Sequence, residues 1–147
     1  MKKIYTFLGS ENAKGKTTEM LSKFKTIAKK EGFGFTDDLK KADALFIVTP
    51  VHWFGAPLKL KKFIDTTLHK MEENNFQAEG KFFAALVYSP EGGASLLLSQ
   101  LALTANLMGF IIAPYSLIYY RDNKKDNEWA FNFYFLDYWK SNKQTKQ

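Results

Sequence analysis

The stretch ADALFIVTPVHWFGAPLKLKKFID, Ala42–Asp65, decides how the rest of the chain is read. After Asp43 it runs apolar without alternation through Ala44, Leu45, Phe46, Ile47 and Val48. An unalternating run of that length suits a strand buried on both faces, as in the middle of a parallel sheet. The run is expected to stop at Thr49-Pro50, because proline cannot continue the hydrogen-bonded ladder. A loop carrying His52, Trp53, Phe54 and Gly55 follows. After Pro57, Leu58, Leu60, Phe63, Ile64 and Leu68 recur at helical spacing. A buried strand therefore feeds an aromatic loop and then a helix. In open α/β sheets, the region outside the carboxyl end of a central strand is where ligands bind.

Working outward, Lys3–Leu8 reads as a short strand ending at Gly9-Ser10, and the loop SENAKGK opens a helix at Thr17. Met20, Leu21, Phe24, Ile27 and Ala28 keep helical spacing up to Gly32. Gly32–Thr36 has room only for a short edge strand, and Asp37–Lys41 for one helical turn. Lys81–Tyr88 is a second central strand, followed by Ser89-Pro90-Glu91-Gly92-Gly93 and a helix over about Ala94–Met108. Phe110–Tyr120 contains Pro114, which marks an edge strand or a bulge. A last helix is expected over about Glu128–Ser141. Alternating strands and helices specify a doubly wound parallel sheet of about five strands, with helices on both faces and a short second strand. The 147 residues fit one domain, with no internal repeat or linker.

Composition narrows the chemistry. Hydrophobic residues make up 46% of the chain, which argues against general disorder. There is no cysteine, so no disulfide, thiol nucleophile or thiolate-held cluster belongs to this chain. No metal-ligand motif is present. The apolar part of the first eight residues is too short for a signal-peptide core, and the run Leu107–Tyr120 is interrupted by Pro114 and Ser116. A cytoplasmic protein without a membrane span is the expectation. The net charge of +6 is spread over predicted helix faces and a lysine-rich tail, KSNKQTKQ, with no nucleic-acid motif beside it.

The first loop has the makings of an anion site. The leading N–H groups of a helix lack intrahelical partners and attract negative charge. Ser10, Thr17 and Thr18 add hydroxyls there, and Lys16 a positive charge. An ordinary capped strand-to-helix turn would use the same residue types. Gly15-Lys16-Thr17 also resembles the end of a phosphate-binding P-loop, but the first glycine of that motif falls on Ser10. No apolar strand ends in an aspartate placed for magnesium. A P-loop NTPase is therefore a remote alternative.

Three signatures follow three strands in order. Gly9-Ser10 leads to Gly15-x-Thr17-Thr18. Ala42-Asp43 precedes Thr49-Pro50-Val51 and Leu60-Lys61-x-Phe63-Ile64-Asp65. Gly92-Gly93 precedes a helix that ends at Met108-Gly109. Over roughly residues 3–115 this order resembles the flavodoxin-like NAD(P)H-dependent FMN reductases, a group that includes flavin and quinone reductases. The resemblance implies one flavodoxin-like domain spanning residues 1–147. It implies an FMN-binding oxidoreductase that passes electrons from NADH or NADPH to a flavin, quinone or similar small acceptor. A non-enzymatic electron carrier or flavin-binding module is the alternative. By the same resemblance Ser10, Lys16, Thr17 and Thr18 would hold the FMN phosphate. Pro50, Val51, His52, Trp53, Phe54 and Gly55 would line the flavin ring, and Ser89, Glu91, Gly92 and Gly93 would close its other side. The chain departs from the family at Asn12, where arginine is usual, at Lys16, where asparagine is common, at His52, usually tyrosine, and at Thr66, often arginine.

Because FMN supplies the redox chemistry, such a protein needs no acid–base pair of its own. His52 is the one candidate catalytic side chain, although a lone loop histidine is more often a surface or packing residue. Trp53 and Phe54 cannot both pack inward from one polar turn, so ring stacking or a partner contact competes with core packing. The last helix places Phe131, Phe135, Tyr138 and Trp139 on one side and Trp129, Phe133 and Leu136 on another. One domain buries only one helix stripe, so a homodimer or homotetramer is expected, as the resemblance also implies.

Overall fold

The computed structural model describes residues 1–121 and 132–142. Five strands, β1 (Lys3–Leu8), β2 (Gly34–Phe35), β3 (Ala44–Pro50), β4 (Phe82–Tyr88) and β5 (Ile111–Tyr120), form one sheet in the order β2-β1-β3-β4-β5. Every pairing is parallel. The central strand β3 is flanked along its length, with Phe46 opposite Thr6 on one side and Ala84 on the other.

Side chains alternate across the sheet, so two cores form. Leu45, Ile47, Phe83, Ala85 and Val87 face α2 (Leu58–Phe63), α3 (His69–Glu73) and α4 (Ala94–Leu107). Ala44, Phe46, Val48, Phe82, Ala84 and Leu86 face α1 (Lys16–Lys30) and α5 (Phe135–Ser141). The second core is aromatic at its centre. Phe24 of α1 lies 3.9 Å from Phe46 and 5.2 Å from Phe133, centroid to centroid, and Phe135 lies 4.6 Å from Trp139. An all-apolar β3 is stable only between such faces, since each exposed side chain would forfeit about 1.5–3 kcal/mol of burial. The doubly wound parallel architecture is thus as expected.

Several boundaries differ from the sequence reading, each for a local reason. β3 continues through Thr49 and Pro50, pairing with Val87 and Tyr88. Val51 N–H donates to Tyr88 O, whereas Gly9 N–H donates to Val48 O. Alternate residues of a strand address opposite neighbours, so the N–H that Pro50 lacks would face the β1 side, where β1 has already ended. The helix after β3 is one path interrupted by a wider π turn at Ile64–Leu68, and Leu58 at its start is exposed. α4 stops at Leu107 with Met108 as its cap. β5 is both an edge strand and bulged: Ile112 pairs with Phe83, but the next partner of β4 is Leu117.

The expected last helix is corrected most. Asn132–Tyr134 is not helical, α5 begins at Phe135, and residues 128–131 lie outside the described residues. Phe133, expected on a second side of the helix with Trp129 and Leu136, takes a left-handed backbone (φ 46°) and is buried with Phe135, Leu136 and Trp139. The described part of this element therefore buries its large side chains within the chain itself. Its remaining outward rings are Tyr134 and Tyr138.

Lysines fasten the amino ends of the strands. Lys81 Nζ donates to the carbonyls of Lys40 and Ala42, and Lys2 Nζ to those of Trp139 and Asn142. Burial pulls both amines below the usual lysine range, with Asp43 opposing the shift. Among the described residues, no helix is long and apolar enough to cross a membrane.

Candidate functional site

Three loops leave the carboxyl ends of β1, β3 and β4, and two of them touch through a glycine. A Cβ placed on Gly9 would fall 2.2 Å from Thr49 Oγ1, so only glycine lets the end of β1 lie against the end of β3. Thr49 is fully buried, and its hydroxyl donates to Pro50 O.

The first loop is held by Asn12. Its carbonyl accepts from Gly15 N–H (3.3 Å) and from Thr18 Oγ1 (2.8 Å). Its side-chain oxygen accepts from Lys14 N–H (3.1 Å), while its own N–H donates to Ser10 Oγ (3.1 Å). Gly15 then stands at the head of α1 with no side-chain cap, which leaves the first-turn N–H groups without a side-chain acceptor. Of the expected phosphate contacts, Lys16 is exposed at this end and Thr17 is buried. The hydroxyl of Thr18 is engaged inside the loop. What the loop offers an anion is chiefly the helix N–H groups, the Lys16 ammonium and Ser10.

The second and third loops face one another. His52 and Gly55 form a two-bond bridge, N–H to O at 3.0 and 2.9 Å, and the residues between them turn with φ 50° at Trp53 and 61° at Phe54. Two left-handed residues make the tight mirror-image turn that usually takes Asn-Gly. Here it carries two large rings, 98% and 65% exposed. Across from it, Ser89 N–H donates to Tyr120 O and Ser89 Oγ donates to Gly92 O. Gly93 (φ 85°) comes so close that an added Cβ would be 3.2 Å from Phe54 and from Val51. Between the loops lies a cleft of about 410 Å³ lined by Val51, His52, Trp53, Phe54, Ser89, Pro90, Glu91 and Gly92.

The structure thus brings together most of the ring-lining residues named from the sequence. Ser10, Lys16, Thr17 and Thr18 do not line this cleft. Their loop starts at Gly9, which packs on Thr49, two residues before the cleft-lining Val51. Sequence reasoning missed Lys59. From the first turn of α2 its Nζ reaches Ser10 O (3.3 Å) and lies 5.7 Å from the Phe7 ring centroid, tying the helix after the second loop to the first loop. α2 reads LKLKKF, and nothing in that pattern sets Lys59 apart from Lys61 and Lys62. Among the described residues, no cluster of His, Asp and Glu has the makings of a metal site.

The chain matches the family model of the flavodoxin-like fold over residues 18–132, and it belongs to that family. Among solved structures it resembles RosB with a bound 8-demethyl-8-formylriboflavin-5'-phosphate intermediate (TM-score 0.73, 16% identity), covering 82% of this chain and 65% of that one. A flavodoxin from the domain Archaea matches with TM-score 0.68 and 20% identity, over 90% of this chain and 92% of that one. FerB, a flavoenzyme NAD(P)H:(acceptor) oxidoreductase from Paracoccus denitrificans, matches with TM-score 0.67 and 18% identity, over 85% and 82%. These likenesses establish the fold. A search of curated proteins finds no match.

The hairpin tip gives a direct test of strain held for binding. A bulky residue in the left-handed region costs about 1–2 kcal/mol, and asparagine tolerates it far better. Trp53 gains no burial in return, being 98% exposed. Trp53→Asn should therefore raise unfolding stability by about 0.5–1 kcal/mol in a denaturant titration. Destabilisation by the same amount would show that Trp53 packs in a way this geometry lacks.

Proposed function

We propose that the chain binds FMN at the carboxyl end of its sheet and passes electrons from NADH or NADPH through it to a flavin, quinone or similar small acceptor. The observation that carries this reading is the pairing of an uncapped helix N-terminus, beside Lys16, with an aromatic cleft that starts two residues past Thr49, on which Gly9 packs. The residues present fit the cofactor. Its phosphate is a dianion suited to helix N–H groups and a lysine. Its ring is flat and suits a cleft within the usual range of about 300–1,000 Å³, walled by rings on one side and glycine-bearing backbone on the other.

Bound there, FMN supplies the hydride and electron chemistry. The chain's own part is positional. Lys16 and the α1 N–H groups anchor the phosphate, with Ser10 beside them and Thr17 and Thr18 shaping the turn. Trp53 and Phe54 cover one face of the ring. Pro50–Gly55 and Ser89–Gly93 set the slot width, with Glu91 at its rim. His52 stands at the cleft as a candidate proton donor to the acceptor.

The same reading takes the chain as a homodimer or homotetramer. α4 carries no charged residue across Ala94–Leu107, yet exposes Leu96, Leu103 and Leu107. An uncharged outer helix with exposed leucines favours burial against another copy. Sedimentation at micromolar concentration should show a species above 16.9 kDa. A monomer throughout would remove this part.

The phosphate assignment is tested by Lys16→Ala. Loss of a charge-assisted contact, about 1.5–3 kcal/mol, should weaken FMN roughly ten- to a hundred-fold. Riboflavin, which shares the ring but lacks the phosphate, should be unaffected within about twofold. Equal weakening of both would sink the assignment. Anaerobic bleaching of the bound flavin by NADH or NADPH would mark an enzyme. An unbleached flavin would mark an electron carrier.

A further inference from the structure

At the β5 edge of the sheet, outside the three loops, Tyr115, Tyr134 and Tyr138 surround a hollow of about 470 Å³, together with Pro114, Asp137 and Ser141. Each ring is fixed by a separate constraint. Tyr115 projects from the bulge of β5 with φ 63° while remaining 68% exposed, so core burial does not offset its backbone strain. The neck of that bulge is closed by Ser116, buried, whose Oγ donates to Ala113 O at 2.6 Å. Tyr134 meets Tyr115 edge to face, centroids 6.0 Å apart, and its hydroxyl accepts from Asn132 Nδ2 at 3.1 Å. Tyr138 stands edge-on to Phe82 at 6.2 Å.

Among the described residues the charge at this hollow has one sign. Asp137 contributes a carboxylate that makes no ion pair or hydrogen bond among the described residues. The nearest cation on its helix, Lys140, is tied to Glu31 of α1 at 3.2 Å. A carboxylate without a partner among the described residues, beside three exposed tyrosine rings, stands out in a chain of net charge +6. Aromatic faces carry a negative quadrupole and attract cations, most effectively weakly hydrated organic ones that lose little solvation on contact. Among the described residues a metal ion would find only one carboxylate, and an anion would meet like charge. An apolar neutral ligand would leave Asp137 unused.

We propose that the Tyr115–Tyr134–Tyr138 hollow, with Asp137, is a binding site for a weakly hydrated organic cation of the alkylated-ammonium or guanidinium class. This inference is independent of flavin binding, because it uses no residue of the three loops. The cation has two possible sources, a free small molecule or a basic side chain of another protein, and both present the same chemistry to the rings.

The experiment uses the full chain and three probes: choline, its neutral isostere 3,3-dimethyl-1-butanol, and N-acetyl-arginine amide, followed by NMR of the tyrosine ring resonances. Choline or the arginine derivative should shift the Tyr115, Tyr134 and Tyr138 signals saturably, and the isostere should bind at least about fivefold more weakly. Tighter choline binding marks a free ligand. Tighter binding of the arginine derivative marks a protein side chain. Asp137→Asn should weaken the better probe about three- to fivefold, the scale of an exposed ion pair. Tyr134→Phe, which keeps the ring face, should stay within about twofold, while Tyr134→Leu should lose at least about fivefold. The proposal is overturned if neither cation shifts these resonances, if the isostere binds as well as choline, or if Asp137→Asn and Tyr134→Leu leave binding unchanged.

Discussion

The structure depends on keeping β3 dry on both faces. Ala44–Val48 offers no polar side to water, so it needs a strand on each flank and a helical layer above and below. Parallel pairing meets that need, and parallel pairing requires crossovers, most of which here contain a helix. The carboxyl ends of β1, β3 and β4 then open at the same edge of the sheet. Location of the site is thus a consequence of hydrophobic burial. The aromatic residues of the β3 loop reach the cleft because the strand before them cannot lie anywhere else.

Within that frame, glycines set how closely the loops approach. Gly9 lets β1 end against Thr49, and Gly93 lets the third loop meet Val51 and Phe54. Asn12 folds the first loop on itself, leaving the head of α1 uncapped. Lys59 ties α2, the helix after the second loop, to the first loop. The strained turn at Trp53-Phe54 is where local stability has been given up, and it is also where the largest exposed rings face the cleft.

Much of this was legible in the sequence because burial leaves a pattern. The continuous apolar runs of β3 and β4, the helical spacing of Met20, Phe24 and Ala28, and Pro114 at an edge all carry their cause in side-chain type. β3 runs past its expected stop because a proline is tolerated wherever its missing N–H faces no partner, and that depends on where β1 ends. The last helix starts later than its apolar pattern suggests, because Phe133 is as apolar as a helical core residue yet reaches the core from a left-handed backbone. In the site, hydroxyl and lysine positions were readable as types, but not their engagements. That Thr18 bonds Asn12 depends on how the first loop turns on itself, and that Lys59 reaches Ser10 depends on a contact between segments far apart in the chain.

The family, the dry central strand and the loops at its carboxyl end together support one claim, that this sheet edge holds FMN. Titration of FMN into the purified chain, followed by flavin fluorescence and absorbance, tests that claim most directly. The account predicts saturable quenching at one FMN per chain, with a perturbed flavin spectrum from stacking against Trp53 or Phe54. Unquenched FMN fluorescence at high protein concentration, together with thermal protection by ATP and magnesium, would contradict it.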